Sequence, residues 1–278
     1  MSDGWATTGG YGVGIGWRPE IAGFVAELPG LRFAEVVAES VPASGPLPTG
    51  LTELRGRGVT VVPHGVRLSL GGAEPVEPAR VTHLAAVADR LGAPLVSEHI
   101  AFVPAGGVEA GHLLPVPRSR DAVDAIVANV RRTRAELDVP LALEPIAALF
   151  DWPDDELDEG AFLTEILDRT DALLLLDLAN VYANARNRGT DPESLLDALP
   201  LDRVAYVHVA GGSEHDGVYH DTHTDAVPPA VLDLVATLCR RHRPPALLLE
   251  RDGDYPPAAT LRGELDALAA AAGCAAIT

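Results

Sequence analysis

The sequence predicts a (β/α)8 barrel of the TIM type, formed as a single domain over residues 1–278. Three observations predict this fold: short apolar runs recur along the chain, longer amphipathic stretches separate them, and eight such units fit within 278 residues. The runs show little polar alternation, which is typical of parallel strands covered on both faces. A doubly wound open sheet has the same periodicity and is the structural alternative.

Eight apolar runs predict the strands in chain order. They are Tyr11–Gly16, Arg32–Ala38, Gly58–Pro63, Pro94–Glu98, Pro140–Leu143, Ala172–Leu176, Arg203–Val207 and Ala246–Leu249.

Amphipathic stretches between these runs predict the helices. In Glu77–Leu91, apolar residues recur at three- and four-residue intervals and would form one buried stripe. Gly92 and Pro94 mark the end of this helix and the start of the next strand. The other main predicted helices are Arg120–Leu137, Ala161–Arg169, Pro228–His242 and Thr260–Ala271.

The composition excludes several classes of function. The chain has 21 basic against 40 acidic residues, a net charge of −19, and no lysine, so a nucleic acid or an anionic membrane is not an expected partner. Two cysteines, Cys239 and Cys274, can form neither a disulfide framework nor a four-thiolate metal site. No segment reads as a signal peptide or a membrane span. We therefore expect a soluble, cytoplasmic protein.

The ends of six consecutive predicted strands carry side chains that can bind a metal or move a proton. In a barrel these ends form one rim, so we expect the side chains to converge. Each alone is commonly a structural histidine, a helix cap or a salt-bridge partner. Carboxylates that meet in one cavity without cations would repel one another, so the set favours a metal site. The residues are His64, His99, Glu144, Asp177, His208 and Glu250.

The segment after the seventh predicted strand adds Asp221 and His223, closely spaced in what we expect to be an irregular loop. Asn180 adds a neutral oxygen donor. Nine candidate ligands are too many for one ion, so two or three ions fit better. The donors are imidazole and carboxylate without thiolate, which leaves iron, manganese and zinc open.

Other signals are weaker. Gly12, Gly14 and Gly16 resemble the start of a dinucleotide-binding motif but lack its third glycine spacing, so we interpret them as a tightly packed strand. Arg67, in the flexible segment after His64, could bind a substrate carboxylate. His112 could line the mouth of the barrel and contact substrate.

Several motifs resemble those of the multinuclear non-heme iron-dependent oxidative enzymes, the family of MbnB and TglH. The resemblance extends over about residues 11–255, with the motifs in the order of the family. These motifs are Gly14–Pro19, His64–Gly71, Ser97–His99, Leu113–Pro117, Leu175–Asn187, His208–Gly212, Asp221–His223 and Glu250–Gly253.

The resemblance implies a barrel that holds two or three iron ions in mixed Fe(II)/Fe(III) states, with O2 as co-substrate. It implies oxidation of a residue, usually cysteine, in a ribosomally made precursor peptide, with a separate leader-binding protein as a possible partner. The ligands that it implies match the nine residues reached from the strand ends and from the segment after the seventh predicted strand. Two positions depart from the family pattern, because Pro145 and Ser40 stand where the family usually has asparagine.

Two alternatives stay open. The first is a divalent-metal sugar isomerase or phosphodiesterase on a xylose-isomerase-like or endonuclease-four-like barrel. Such enzymes often use a lysine or a basic groove near the metals, and this chain has no lysine. The second alternative is a non-catalytic barrel that binds a metal or a peptide.

Overall fold

A closed barrel of parallel strands forms the centre of the structure, a computed structural model that describes residues 10–278. With strands numbered in chain order, the barrel strands are Gly12–Trp17 (β1), Phe33–Val37 (β2), Thr60–Gly65 (β3), Val96–Ile100 (β4), Leu141–Pro145 (β7), Leu173–Asp177 (β8), Val204–Val209 (β9) and Ala246–Leu249 (β12). They close in the order β1-β12-β9-β8-β7-β4-β3-β2. This closure confirms the predicted barrel and excludes the open sheet. Residues 1–9 of the expected domain lie outside the described residues.

Helices surround the barrel. They are Ala22–Ala26 (α1), Thr49–Gly56 (α2), Pro78–Leu91 (α3), Arg120–Arg134 (α4), Glu159–Thr170 (α5), Leu178–Arg188 (α6), Pro192–Ala198 (α7), Pro229–Arg241 (α8) and Ala258–Ala272 (α9). The predicted end of α3 is confirmed, because Gly92 follows it in the left-handed conformation, with φ of 59°. Across residues 10–278, no helix has both the length and the apolar character of a membrane span.

The two-residue period of the barrel strands determines where the candidate ligands on those strands lie. Alternate residues point to the same side of a strand, and an apolar cluster fills the inside of the barrel. His64, Glu144 and His208 each follow a member of this cluster by two residues along their strands. The buried members of the cluster are Phe33, Val62, Leu95, Ala142, Leu175, Ala205, Tyr206, Ala246 and Leu248. The candidate ligands on the barrel strands therefore continue the inward-facing rows toward the carboxyl-terminal mouth.

Two antiparallel hairpins extend outside the barrel and were not among the predicted elements. One pairs Phe102–Ala105 (β5) with Val108–Leu114 (β6), and the other pairs Gly211–His215 (β10) with Val218–Asp225 (β11). The segment around Asp221 therefore belongs to a hairpin strand rather than to a loop. It is nevertheless irregular there, because the pairing register shifts between Gly211, which pairs with Asp225, and Ser213, which pairs with His220. Asp221 and His223 lie in this interruption, between two paired parts of β11.

Candidate metal centre

The strand ends bring the candidate ligands together in one mouth. Four overlapping groups of three side chains have ligand atoms within 4.8 Å of one another. The groups are His64, His99 and Glu144; Glu144, Asp177 and His208; Asp177, His223 and Glu250; and Glu35, His208 and Glu250. Asn180 and Asp221 line the cavity at the same mouth. The structure thus gathers all nine sequence-predicted residues and adds Glu35.

The first group joins the ends of β3, β4 and β7. Nε2 of His64 lies 3.5 Å from Oε2 of Glu144, and Nε2 of His99 lies 3.3 Å from the same oxygen. The other nitrogen of each ring has its own partner: Nδ1 of His64 is 2.8 Å from Oγ of Ser97, and Nδ1 of His99 is 3.2 Å from the carbonyl of Gly65. These partners orient both rings, so that each presents Nε2 to the centre.

Glu144 extends from the first group into the second. Its Oε1 lies 3.4 Å from Nδ1 of His208, which is 2.9 Å from Oε2 of Glu250. Nε2 of His208 faces away from the mouth and lies 2.8 Å from Oε2 of Glu35. Glu144 therefore places one carboxylate oxygen beside each of two neighbouring groups.

His223 completes the outer part of the centre. Its Nε2 lies 2.7 Å from Oδ2 of Asp221 and 3.9 Å from Oδ2 of Asp177, and its Nδ1 lies 3.4 Å from Oε2 of Glu250. The backbone of His223 has φ of 54°, in the left-handed region that costs a residue other than glycine about 1–3 kcal/mol. Such strain is concentrated at functional sites.

Asp177 and Asn180 contribute oxygen atoms from the start of α6. Oδ1 of Asp177 accepts hydrogen bonds from the backbone N–H groups of Ala179 and Asn180, at 2.6 and 3.0 Å, and so caps the helix. Its Oδ2 is left for the centre. Nδ2 of Asn180 donates to the carbonyl of Pro145 at 3.1 Å, which turns the amide oxygen away from that bond.

Several buried polar atoms of the mouth have no hydrogen-bond partner among residues 10–278. Five belong to predicted ligands, namely Oε2 of Glu144, Oδ2 of Asp177, Oδ1 of Asn180, Nδ1 of His208 and Oδ1 of Asp221, and a sixth is Oε1 of Glu35. Each such unsatisfied group costs about 1–3 kcal/mol. Their lone pairs would be satisfied by cations, so the residues fit a centre of two or more metal ions. Imidazole and carboxylate donors suit iron, manganese and zinc.

The ionisable groups are strongly shifted from their ordinary pKa values. Burial, with the charges of Asp221 and Glu144, raises the pKa of Asp177 to about 8. Burial lowers the pKa of His99, but the carboxylates of Glu144 and Glu98 outweigh it and raise that pKa to about 9. Without cations, the folded centre therefore retains protons at neutral pH that the unfolded chain would release. Metal ions and protons compete for the same atoms.

We expect the metal-free protein to lose stability as the pH rises from about 6 to about 9. Asp177 and His99 both have raised pKa values, so their contributions are present at the lower pH and disappear as the folded state loses its protons. The melting temperature in chelator should fall by roughly 2–4 °C for each kcal/mol lost. Metal-loaded protein should show a smaller decline, and Asp177→Asn should reduce the slope. A flat or rising profile in chelator would contradict this assignment.

A cavity of about 880 Å3 opens above the centre. His112 lines it, in agreement with the expected position at the mouth, and the exposed side chains of Leu149 and Phe150 add apolar surface. Arg67 lies apart, in a neighbouring cavity of about 420 Å3, and its Nη2 is 2.9 Å from Oε2 of Glu109. The substrate-binding roles of Arg67 and His112 stay predictions.

Two charged residues of the mouth were missed by the sequence reasoning. Nη2 of Arg18 lies 3.4 Å from Oε1 of Glu250 and 2.5 Å from Oδ1 of Asp252, so it neutralises part of the acidic cluster. Glu35 is fully buried on β2. A lone acid inside an apolar strand, at the spacing of two from Phe33, is the sequence signal that could have identified Glu35.

The closed barrel of parallel strands, with imidazole and carboxylate groups at its carboxyl-terminal mouth, defines a TIM barrel. Solved structures of this class share the fold. A xylose isomerase domain protein from Planctomyces limnophilus has a TM-score of 0.61 at 14% identity, covering 94% of this chain and 97% of that one. A D-allulose 3-epimerase from Methylomonas sp. has a TM-score of 0.58 at 17% identity, covering 92% and 90%.

Within this class, the chain belongs to the family of RiPP precursor modification enzymes described as MbnB/TglH/ChrH, whose model matches residues 12–273. RiPPs are ribosomally synthesised and post-translationally modified peptides. A UPF0276 protein from Streptomyces avermitilis is 54% identical over 269 residues, which cover 94% of this chain and 55% of that protein. The chain thus spans about half the length of this relative. A UPF0276 protein from Caulobacter vibrioides is 36% identical over 257 residues, 92% of each chain.

Proposed function

We propose that the protein is an iron- and dioxygen-dependent oxidase that modifies a cysteine of a ribosomally made precursor peptide. One observation carries the proposal: in a chain of this family, unsatisfied buried lone pairs from five side chains meet at the mouth of a barrel. The four overlapping ligand groups support two or three iron ions. The fold likeness to sugar epimerases has a sequence identity too low to support a sugar substrate.

Bound iron would supply one-electron chemistry with dioxygen. The side chains of the mouth would hold the ions close together, with Glu144 and Glu250 each facing two ligand groups. Beneath them, the apolar cluster around Leu175 closes the barrel and excludes water from that side. The Arg18–Asp252 pair holds one oxygen of Glu250 in place.

The cavity above the centre would receive a short segment of the peptide. Its volume of about 880 Å3 accommodates several side chains, and Leu149 and Phe150 offer apolar contacts at the rim. His112 stands where it could contact the peptide near the reacting residue. The chain's own two cysteines, Cys239 and Cys274, lie outside this cavity, so the reacting thiol would be supplied by the substrate. A separate leader-binding protein would extend recognition beyond the mouth.

The proposal is tested by anaerobic purification, metal analysis and reaction with dioxygen in the presence of candidate peptides that carry cysteine near the carboxyl terminus. We expect more than one iron per chain, oxygen uptake that depends on the peptide, and a mass change at a cysteine. His99→Ala should lower the iron content and abolish the mass change, because it removes a ligand from the group at Glu144.

The matched control is His242→Ala, which removes an exposed histidine that follows α8. This variant should keep the iron content and the reaction of the parent protein. Full occupancy by zinc or manganese alone, with no oxygen uptake after iron and peptide are added, would contradict the oxidase proposal.

A further inference from the structure

A chain of short hydrogen bonds lies beneath the metal centre and connects two of its histidines across the inside of the barrel. Nδ1 of His64 is 2.8 Å from Oγ of Ser97, which is 2.6 Å from the hydroxyl of Tyr206. That hydroxyl is 2.6 Å from Oε2 of Glu35, which is 2.8 Å from Nε2 of His208. All five side chains are buried, with residue exposures of 2% or less.

The direction of each bond follows from the number of protons available. Oε2 of Glu35 accepts from the Tyr206 hydroxyl, so the single proton of that hydroxyl is used. Tyr206 can then only accept from Ser97, whose own proton is used in turn. Oγ of Ser97 is left as an acceptor and requires an N–H at Nδ1 of His64.

The carboxylate of Glu35 also fixes the tautomer of the second histidine, His208. Oε2 of Glu35 requires an N–H at Nε2 of His208. The remaining nitrogens, Nε2 of His64 and Nδ1 of His208, then carry lone pairs, and both face Glu144 at 3.5 and 3.4 Å. These are the atoms that a metal ion would need.

We propose that Glu35 is the anchor of a positioning network that holds His64 and His208 in the tautomers required for metal binding, with Tyr206 and Ser97 transmitting its effect to His64. The inference rests on the proposed metal centre, but it does not depend on the metal being iron or on oxidase activity. Glu35 acts on His208 directly and on His64 through two hydroxyl groups. It therefore couples β2 to both sides of the barrel mouth.

The positioning role and a role as a further metal ligand predict different results. Glu35 is a member of the group with His208 and Glu250, and its Oε1 has no hydrogen-bond partner among residues 10–278. Its Oε2, however, contacts Nε2 of His208, the nitrogen opposite the one that faces Glu250. A ligand role for Glu35 would require no help from Tyr206 or Ser97. The positioning role requires both hydroxyl groups.

The test uses Tyr206→Phe and Ser97→Ala, each of which removes one hydroxyl from the network. Titration of the metal-free protein with Co(II) should show about a 10- to 100-fold weaker affinity for the ion beside His64 in either variant, the usual effect of removing such a partner. The ion beside His208 should be retained, because the hydrogen bond between His208 and Glu35 stays intact. The double variant should be no weaker than either single variant, because both break the same chain. Tyr182→Phe, the same chemical change outside the network, should bind like the parent.

A second measurement reports the tautomers themselves. In the Zn(II)-loaded protein labelled with 15N-histidine, we expect the proton of His64 on Nδ1 and that of His208 on Nε2. Thermal unfolding in chelator shows whether each variant is folded.

Opposite tautomers, additive losses in the double variant, or wild-type binding by both single variants would overturn the inference. Loss of metal only in Glu35→Gln would instead make Glu35 a direct ligand. Failure of the parent protein to bind any metal would overturn the metal centre itself, and the inference with it.

Discussion

Replacing Glu144 by alanine is expected to remove more than one metal ion from the centre and to reduce peptide modification at least about a thousandfold, equivalent to about 4 kcal/mol of transition-state stabilisation. Oε2 of Glu144 lies near His64 and His99, whereas Oε1 lies near His208. Deleting this side chain therefore weakens two ligand groups together. Metal content per chain, measured after anaerobic reconstitution, is the direct readout.

The comparison with His99→Ala makes this expectation specific. His99 belongs to only one of the four ligand groups, so its loss should release fewer ions than the loss of Glu144. Glu144→Gln, which keeps the length of the side chain and a neutral oxygen, should fall between the parent and the alanine variant. Equal metal content in the Glu144→Ala and His99→Ala variants would show that Glu144 does not connect two groups.

Replacing Gly211 by alanine is expected to damage the centre without changing any candidate ligand. A Cβ atom at this position would lie 2.3 Å from the carbonyl oxygens of both Asp225 and Ala226, which are backbone atoms that cannot rotate away. The strand β11, which carries Asp221 and His223, would have to move from β10. We expect a loss of about 1–3 kcal/mol in the free energy of unfolding. The ion nearest His223 should be lost, whereas the group of His64, His99 and Glu144 should still bind.

Gly263→Ala is the matched control, because the added Cβ meets no atom within 4 Å on α9. It should raise the free energy of unfolding by about 0.5–1 kcal/mol, since alanine is favoured over glycine inside a helix. Chemical denaturation and metal analysis of both variants measure the two effects. Unchanged metal content in Gly211→Ala would show that the hairpin does not position its histidine.

Much of the centre could be predicted from the sequence because the barrel has a simple geometric rule. Strand ends meet at one rim, so His64, Asp177 and Glu250 could be expected together although nearly 190 residues separate the first from the last. Glu35 could not be found by this rule, because it lies within its strand rather than at the end. Its role depends on partners from β4 and β9, which only the three-dimensional arrangement brings close.

The two hairpins could not be predicted from the sequence for a different reason. The strand β6 has five exposed residues in succession, so it lacks the apolar pattern on which strand prediction depends. Its partner β5 supplies the backbone hydrogen bonds instead. Around His223, the sequence predicts the ligand type but not its strained backbone, which reflects the fit of the hairpin against the barrel.

The two oxygens of Asp177 have a consequence for how this position can vary. One oxygen caps a helix and the other faces the centre, so two independent demands restrict the same side chain. An alanine here would forfeit a cap worth about 1 kcal/mol along with the candidate ligand, and the two losses would be confounded. Asparagine caps helices as well as aspartate does and retains one neutral oxygen. Asp177→Asn therefore separates the folding requirement from the chemical one, and tolerance of this single exchange would reveal which of them has constrained the residue.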